Sequence, residues 1–97
     1  MDYKMRTKDE IAEYTSEAFD RLWLVRKQDM FCNINDGTEE APPSDILAQC
    51  MSEIARVCET YAIDFNKPVS DWEYGYWSGI LAALRWTLGC EKDLLDT

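Results

Sequence analysis

The sequence predicts an all-α fold, a small three-helix bundle, and three observations predict it. Two segments open on capping-box patterns, Thr7-Lys8-Asp9-Glu10 and Ser70-Asp71-Trp72-Glu73, in which a hydroxyl and a carboxylate satisfy otherwise unpaired backbone N–H groups. Apolar residues recur at three- and four-residue steps in three segments, and no run alternates with the period of a strand. Between these segments, residues 33–43 and 64–68 are rich in Asn, Asp, Gly and Pro, which favour turns over helix. With 97 residues, 46% of them hydrophobic, the chain suits one domain with a packed core.

The first helix is expected over about residues 8–30. Ile11, Tyr14, Ala18, Leu22 and Val25 mark its apolar face, widened by Phe19 and Trp23. It should end between Gln28 and Phe31, ahead of Asn33-Ile34-Asn35-Asp36-Gly37. Residues 33–43 read as the one linker, stiffened by Pro42 and Pro43. Ser44 then reads as the N-cap of a second helix, about 45–63, with Asp45 favourably placed against the helix dipole. Leu47, Cys50, Ile54, Val57 with Cys58, and Tyr61 form its face. The third helix, about 71–88, stops at Gly89, the natural left-handed cap. Its core face reads as Trp72, Tyr76, Ile80, Leu84 and Leu88, with Gly75, Gly79 and Ala83 as a second stripe of small residues. The tail 91–97 is expected to add a short fourth turn that folds Leu94 and Leu95 onto the body.

Composition excludes several functions. The chain carries 19 Asp and Glu against 10 Lys and Arg, a formal net charge of −9, which opposes binding to nucleic-acid phosphates or to an anionic membrane. It has no histidine, so it lacks the ordinary base near neutral pH, a Ser-His or Cys-His pair, and any imidazole ligand. The start of the chain shows no apolar run of the secretory type, and the longest weakly charged stretch, 74–84, is far short of the ~20 residues that span a bilayer. Cys32, Cys50, Cys58 and Cys90 form no C-x-x-C pair and read as reduced thiols of a cytoplasmic protein. Cys50 and Cys58 share a helix face but stand ~12 Å apart along it, too far to hold one zinc. In the 33–44 stretch the twelfth position of a calcium loop falls on Ser44, where a carboxylate is required. Neither a metal, a cofactor nor a catalytic set is expected.

Charge is unevenly spread. Residues 1–29 hold seven acids and six bases, whereas residues 30–97 hold twelve acids and four bases. Carboxylates concentrated in this way steer toward a basic groove on a protein partner. The third helix also holds five aromatics in fifteen residues (Trp72, Tyr74, Tyr76, Trp77, Trp86), more than one face can bury, so Tyr74 and Trp77 are expected to point away from the Trp72–Tyr76 face toward a second packing surface: the first helix, a symmetry mate or a partner protein.

The segment from Trp72 to Gly89, with its Glu-Tyr-Gly, Ser-Gly, Ala-Leu-Arg-Trp and Leu-Gly elements and the terminal Leu-Asp-Thr, resembles the C-terminal stretch of small bacterial and phage proteins. The likeness covers about the last quarter of the chain and implies a helical fold in a mobile-element setting. Small acidic helical proteins of that setting resemble anti-CRISPR inhibitors, which act by occupying a basic surface. On this resemblance the chain is expected to inhibit a host defence protein such as a Cas effector in a bacterial cytoplasm. Glu53, Glu59, Asp64, Asp71 and Glu73 would meet its Lys and Arg, and Tyr74 and Trp77 would anchor. The alternative expectation is a homodimer or larger assembly joined through Gly75, Gly79 and Ala83.

Overall fold

A computed structural model describes residues 3–90. The two capping signals lead into helices as expected. Thr7 Oγ1 accepts from the Glu10 N–H at 3.2 Å, and the Thr7 N–H donates to Glu10 Oε1 at 3.1 Å, completing the box at the start of α1 (Lys8–Asp36). These hydrogen bonds, the backbone one first, hold the Glu10 carboxyl below its usual pKa. Ser70 accepts from the Glu73 N–H at 3.2 Å ahead of α3 (Asp71–Thr87), but here only the hydroxyl half of the box forms. The fold class stands: three helices, and no strand among the described residues. The fourth turn expected over 91–97 lies outside the described residues.

Two boundaries differ from expectation, each for a local reason. α1 continues to Asp36, some six residues past its expected end, and so absorbs 33–36 of the expected linker. Asn33, Asn35 and Asp36 lower helix propensity without forbidding helix, and the terminator is Gly37 at φ 78°. Gly37 and Thr38 close the end by donating to Ile34 and Asn33 carbonyls at 3.2 and 2.9 Å. The extra turns place Phe31 edge-on to Phe65, at 5.9 Å between ring centres. α2 spans Ser44–Tyr61, so Ser44 is its first helical residue; Pro43 occupies the cap position with no side-chain bond. Its far end closes on Ala62, which takes the left-handed conformation (φ 53°) that glycine would adopt at lower cost, and the Ile63 N–H then donates to Cys58 O at 2.9 Å.

α2 and α3 both run antiparallel to α1, but along different stretches of it. The Tyr61 hydroxyl, at the end of α2, donates to Asp20 Oδ2 at 3.0 Å, midway along α1. α3 begins beside Leu24 and Val25 and ends beside Ile11 and Tyr14. Between them Gln28 ties down the connection by donating to the Phe65 and Lys67 carbonyls at 3.0 and 3.1 Å. Among the described residues α2 and α3 do not approach each other within 8 Å between Cα atoms. Two cores result, both on α1. Ala18 and Leu22 bury against Leu81 of α3, while Leu24 buries against Ile54 and Val57 of α2. α1 at 29 residues is ~43 Å long, which sets a molecular long axis of 52 Å. The radius of gyration, 15.7 Å, exceeds the ~12.5 Å of a compact chain of this length.

Candidate functional site

The surface of α3 departs most from expectation. A set of residues spaced by four drifts about 40° per step, so Trp72, Tyr76, Ile80, Leu84 and Leu88 cannot share one face over four turns. The helix instead turns inward a seam with alternating three- and four-residue steps, Tyr74, Trp77, Leu81, Leu84 and Leu88, of which Leu81 is buried and the others half-buried. Ile80, expected on the core face, also packs against this core. Tyr74 and Trp77, expected as outward anchors, pack against the Ala18–Leu22–Leu81 core. Trp77 meets Tyr14 edge-on at 5.9 Å, and the Arg21 guanidinium lies 4.7 Å from its ring centre. Arg21 also lies 5.5 Å from the Tyr61 ring and accepts no competing role, since its Nε donates to Glu17 at 2.8 Å. One side chain thereby touches both α2 and α3.

The residues facing outward form a second seam of the same spacing: Trp72, Tyr76, Gly79, Ala83 and Trp86. It is centred roughly 160° around the helix from the buried seam. Trp72, Tyr76 and Trp86 are 73%, 49% and 62% exposed. Trp72 stacks on Tyr76 at 5.4 Å with the rings nearly parallel, and Tyr76 in turn meets Trp77 edge-on at 5.5 Å. Gly75, Gly79 and Ala83, expected as a self-association stripe, lie on this open side. A Cβ built on Gly75 or Gly79 would meet nothing within 4 Å, so no group among the described residues requires glycine there.

The five acids expected on one binding face are all exposed. Glu53 and Glu59 lie about 120° apart around α2. Glu53 is engaged with Arg56 at 3.0 Å, and Arg56 also reaches Asp20 at 3.6 Å. Asp64 and Glu73 border an open cleft of about 240 Å³ that also takes in Lys67 and Arg21. Asp71 sits in the first turn of α3. The denser acidic surface is elsewhere, at the pole where α1 turns into α2. Asp29, Asp36, Glu39, Glu40 and Asp45 are all exposed there, and no Lys or Arg occurs from residue 28 to residue 55. That gap of 28 residues without a cation is its signal in the sequence. Asp36 even stands in the last turn of α1, where the helix dipole opposes a carboxylate and no basic residue offsets it.

The half formed by residues 28–70 holds eight acids and two bases, Arg56 and Lys67. Residues 3–27 together with 71–87 hold seven of each. The acidity therefore belongs to one half of the molecule, and the aromatic outward seam to the other.

Cys50 and Cys58 are half-buried beside the second core, Cys32 and Cys90 are exposed, and all four are free thiols. Burial, with a smaller effect from Asp64, pushes the Cys58 thiol up, away from the reactive thiolate. Burial likewise raises the Tyr61 phenol, reinforced by its bond to Asp20, and raises Tyr14. Among the described residues no three His, Cys, Asp or Glu side chains gather as metal ligands, and no helix is long and apolar enough to cross a membrane. No family model, curated protein or solved structure matches the chain.

Proposed function

We propose that this chain is a non-enzymatic binding protein of the inhibitor type, whose acidic half occupies a basic surface on a nucleic-acid-handling protein such as a defence effector. The observation that carries this reading is the carboxylate pole of Asp29, Asp36, Glu39, Glu40 and Asp45, set at one end of an elongated molecule and exposed throughout. A pole of one sign accelerates encounter with an oppositely charged groove and competes with nucleic acid for the same Lys and Arg. The anchors assigned from sequence are replaced: Tyr74 and Trp77 are committed to the core, whereas exposed Ile46 and Met51 lie on α2 within the acidic half and offer apolar contact there. The resemblance of the α3 segment to small bacterial and phage proteins supports the bacterial cytoplasm as the setting.

The test is co-elution with candidate Cas effectors at about 100 mM and about 500 mM salt, where screening separates electrostatic from apolar docking. Binding is expected at the lower salt and lost at the higher. A Glu39→Lys/Glu40→Lys double variant, altered in the linker away from both cores, is expected to unfold at the same temperature and to bind at least tenfold more weakly. Undiminished binding by that variant at low salt would overturn the charge-mimicry reading.

A further inference from the structure

α3 is apolar on two opposite sides, and only one side has a neighbour. The buried seam is satisfied by α1; the outward seam of Trp72, Tyr76, Gly79, Ala83 and Trp86 has the same three-four spacing that helices use to pack on helices, and no helix among the described residues packs against it. Its composition is ordered as well as apolar. Large residues stand at both ends, and the centre is small enough for another backbone to approach closely.

That order is symmetric. Trp72 and Trp86 lie seven residues before and after Gly79, and Gly75 and Ala83 lie four before and after it. An antiparallel copy of the same helix, centred on Gly79, would therefore set each Trp72 beside the other copy's Trp86, and each Gly75 beside the other copy's Ala83. The two indoles at each end would close over a waist formed by glycine and alanine. A two-fold interface has to be self-complementary in this sense, because every residue meets its counterpart through the same axis.

Charge and area agree with that occupant. The seam lies on the half of the molecule whose seven acids and seven bases cancel, and the acidic pole is carried at the far end of α1, so two chains of net charge −9 can meet here with their fields held apart. From Trp72 to Trp86 the outward seam contains no charged residue. The exposed parts of Trp72, Tyr76 and Trp86 amount to about 400 Å² per copy, hence about 800 Å² in a pair, and the glycine and alanine surface brings the total near the ~1,000 Å² of a specific interface. We infer that the protein forms an antiparallel homodimer through this face of α3, with the two acidic poles projecting from opposite ends.

Sedimentation equilibrium between about 1 and about 100 µM is expected to show a dimer whose dissociation constant is micromolar and is not weakened by about 500 mM salt, as apolar burial requires. Gly79→Leu is expected to be monomeric across that range with unchanged helical circular dichroism, because the added side chain enters open space in the monomer. Orientation is tested by mixing. Trp72→Lys and Trp86→Glu chains are each expected to be monomeric alone and to pair when combined, since only the antiparallel arrangement sets the new Lys against the new Glu while leaving one Trp–Trp contact intact. A monomeric unaltered chain at about 100 µM, or a Gly79→Leu chain that still dimerises, would overturn the proposal. Mixing without rescue would overturn the antiparallel arrangement. Because the dimer survives salt that dissolves electrostatic binding, its failure and the failure of the inhibitor reading are read separately.

Discussion

The two halves of this molecule are built on one helix and solve opposite problems. Along its N-terminal stretch α1 packs α3 through aromatic and aliphatic side chains, carries balanced charge, and leaves a row of indoles in solvent. Along its C-terminal stretch it packs α2 through Leu24, Ile54 and Val57 and surrounds that core with exposed carboxylates. Among the described residues the α2 and α3 backbones stay more than 8 Å apart between Cα atoms, so each core is built on α1, and Arg21 lies against rings of both helices. A closed bundle would pool its buried area in one core. This arrangement divides it, and uses the surface thereby left free for charge at one end and apolar contact at the other.

The sharpest way to break the pairing is to empty one core. Leu81→Ala removes the side chain that Ala18 and Leu22 enclose and is expected to cost about 3 kcal/mol, read from chemical denaturation. Hydrogen exchange should then show α3 amides losing protection while α2 amides near Val57 retain it. Equal loss in both helices would mean that the two cores melt as one.

The coupling residue comes next. Arg21→Ala deletes the guanidinium that lies over both Trp77 and Tyr61, and about 1–2 kcal/mol of stability should go with it. Lysine should recover little of that, since its ammonium lacks the planar group that stacks on a ring. In the Ala variant, a second change in one core should alter exchange in the other half less than it does in the unaltered chain.

Ala62→Gly works in the stabilising direction. Ala62 holds a left-handed conformation at the end of α2, and relieving it is expected to raise stability by up to about 1 kcal/mol, confined to the acidic half. A rise in melting temperature checks it; a fall would mean that chain entropy outweighs the strain.

The smallest effect is a pH dependence. Cys58 and Tyr61 bind their protons more tightly in the folded state, so each contributes stability that is full below its unfolded pKa and is lost as pH rises through the folded one. Stability should therefore decline above about pH 9, and in Tyr61→Phe the decline should be shallower. That variant also loses the hydroxyl bond to Asp20, lowering stability at neutral pH by about 1 kcal/mol.

Local signals were legible where a residue acts on its own backbone. Thr7 and Ser70 begin helices because their hydroxyls meet N–H groups three residues on, whatever the rest of the chain does. Gly89 at φ 92° ends α3 for an equally local reason. The end of α1 was not legible in this way. Asn33 to Asp36 are poor helix formers, yet Gly37 and the packing of Phe31 on Phe65 carry the helix through them. Of the candidate site, the small-residue stripe and the acid excess were readable. The relative placement of the five acids was not, because residues on α2, a connection and α3 have no common direction until the helices are placed.

The sequence by itself determined three helices, the capped starts and glycine stops of α1 and α3, and the acid balance, since each follows from bonds and charges within a few residues. It also wrote two apolar seams on α3 of equal spacing and similar aromatic content, and so left open which one would face inward. Tertiary structure decided that. Ala18 and Leu22 offer α1's tightest surface to Leu81, and Arg21 offers a cation to Trp77, so the 74–77–81 seam gains both burial and a stacked charge, and Trp72, Tyr76 and Trp86 are turned to the outside.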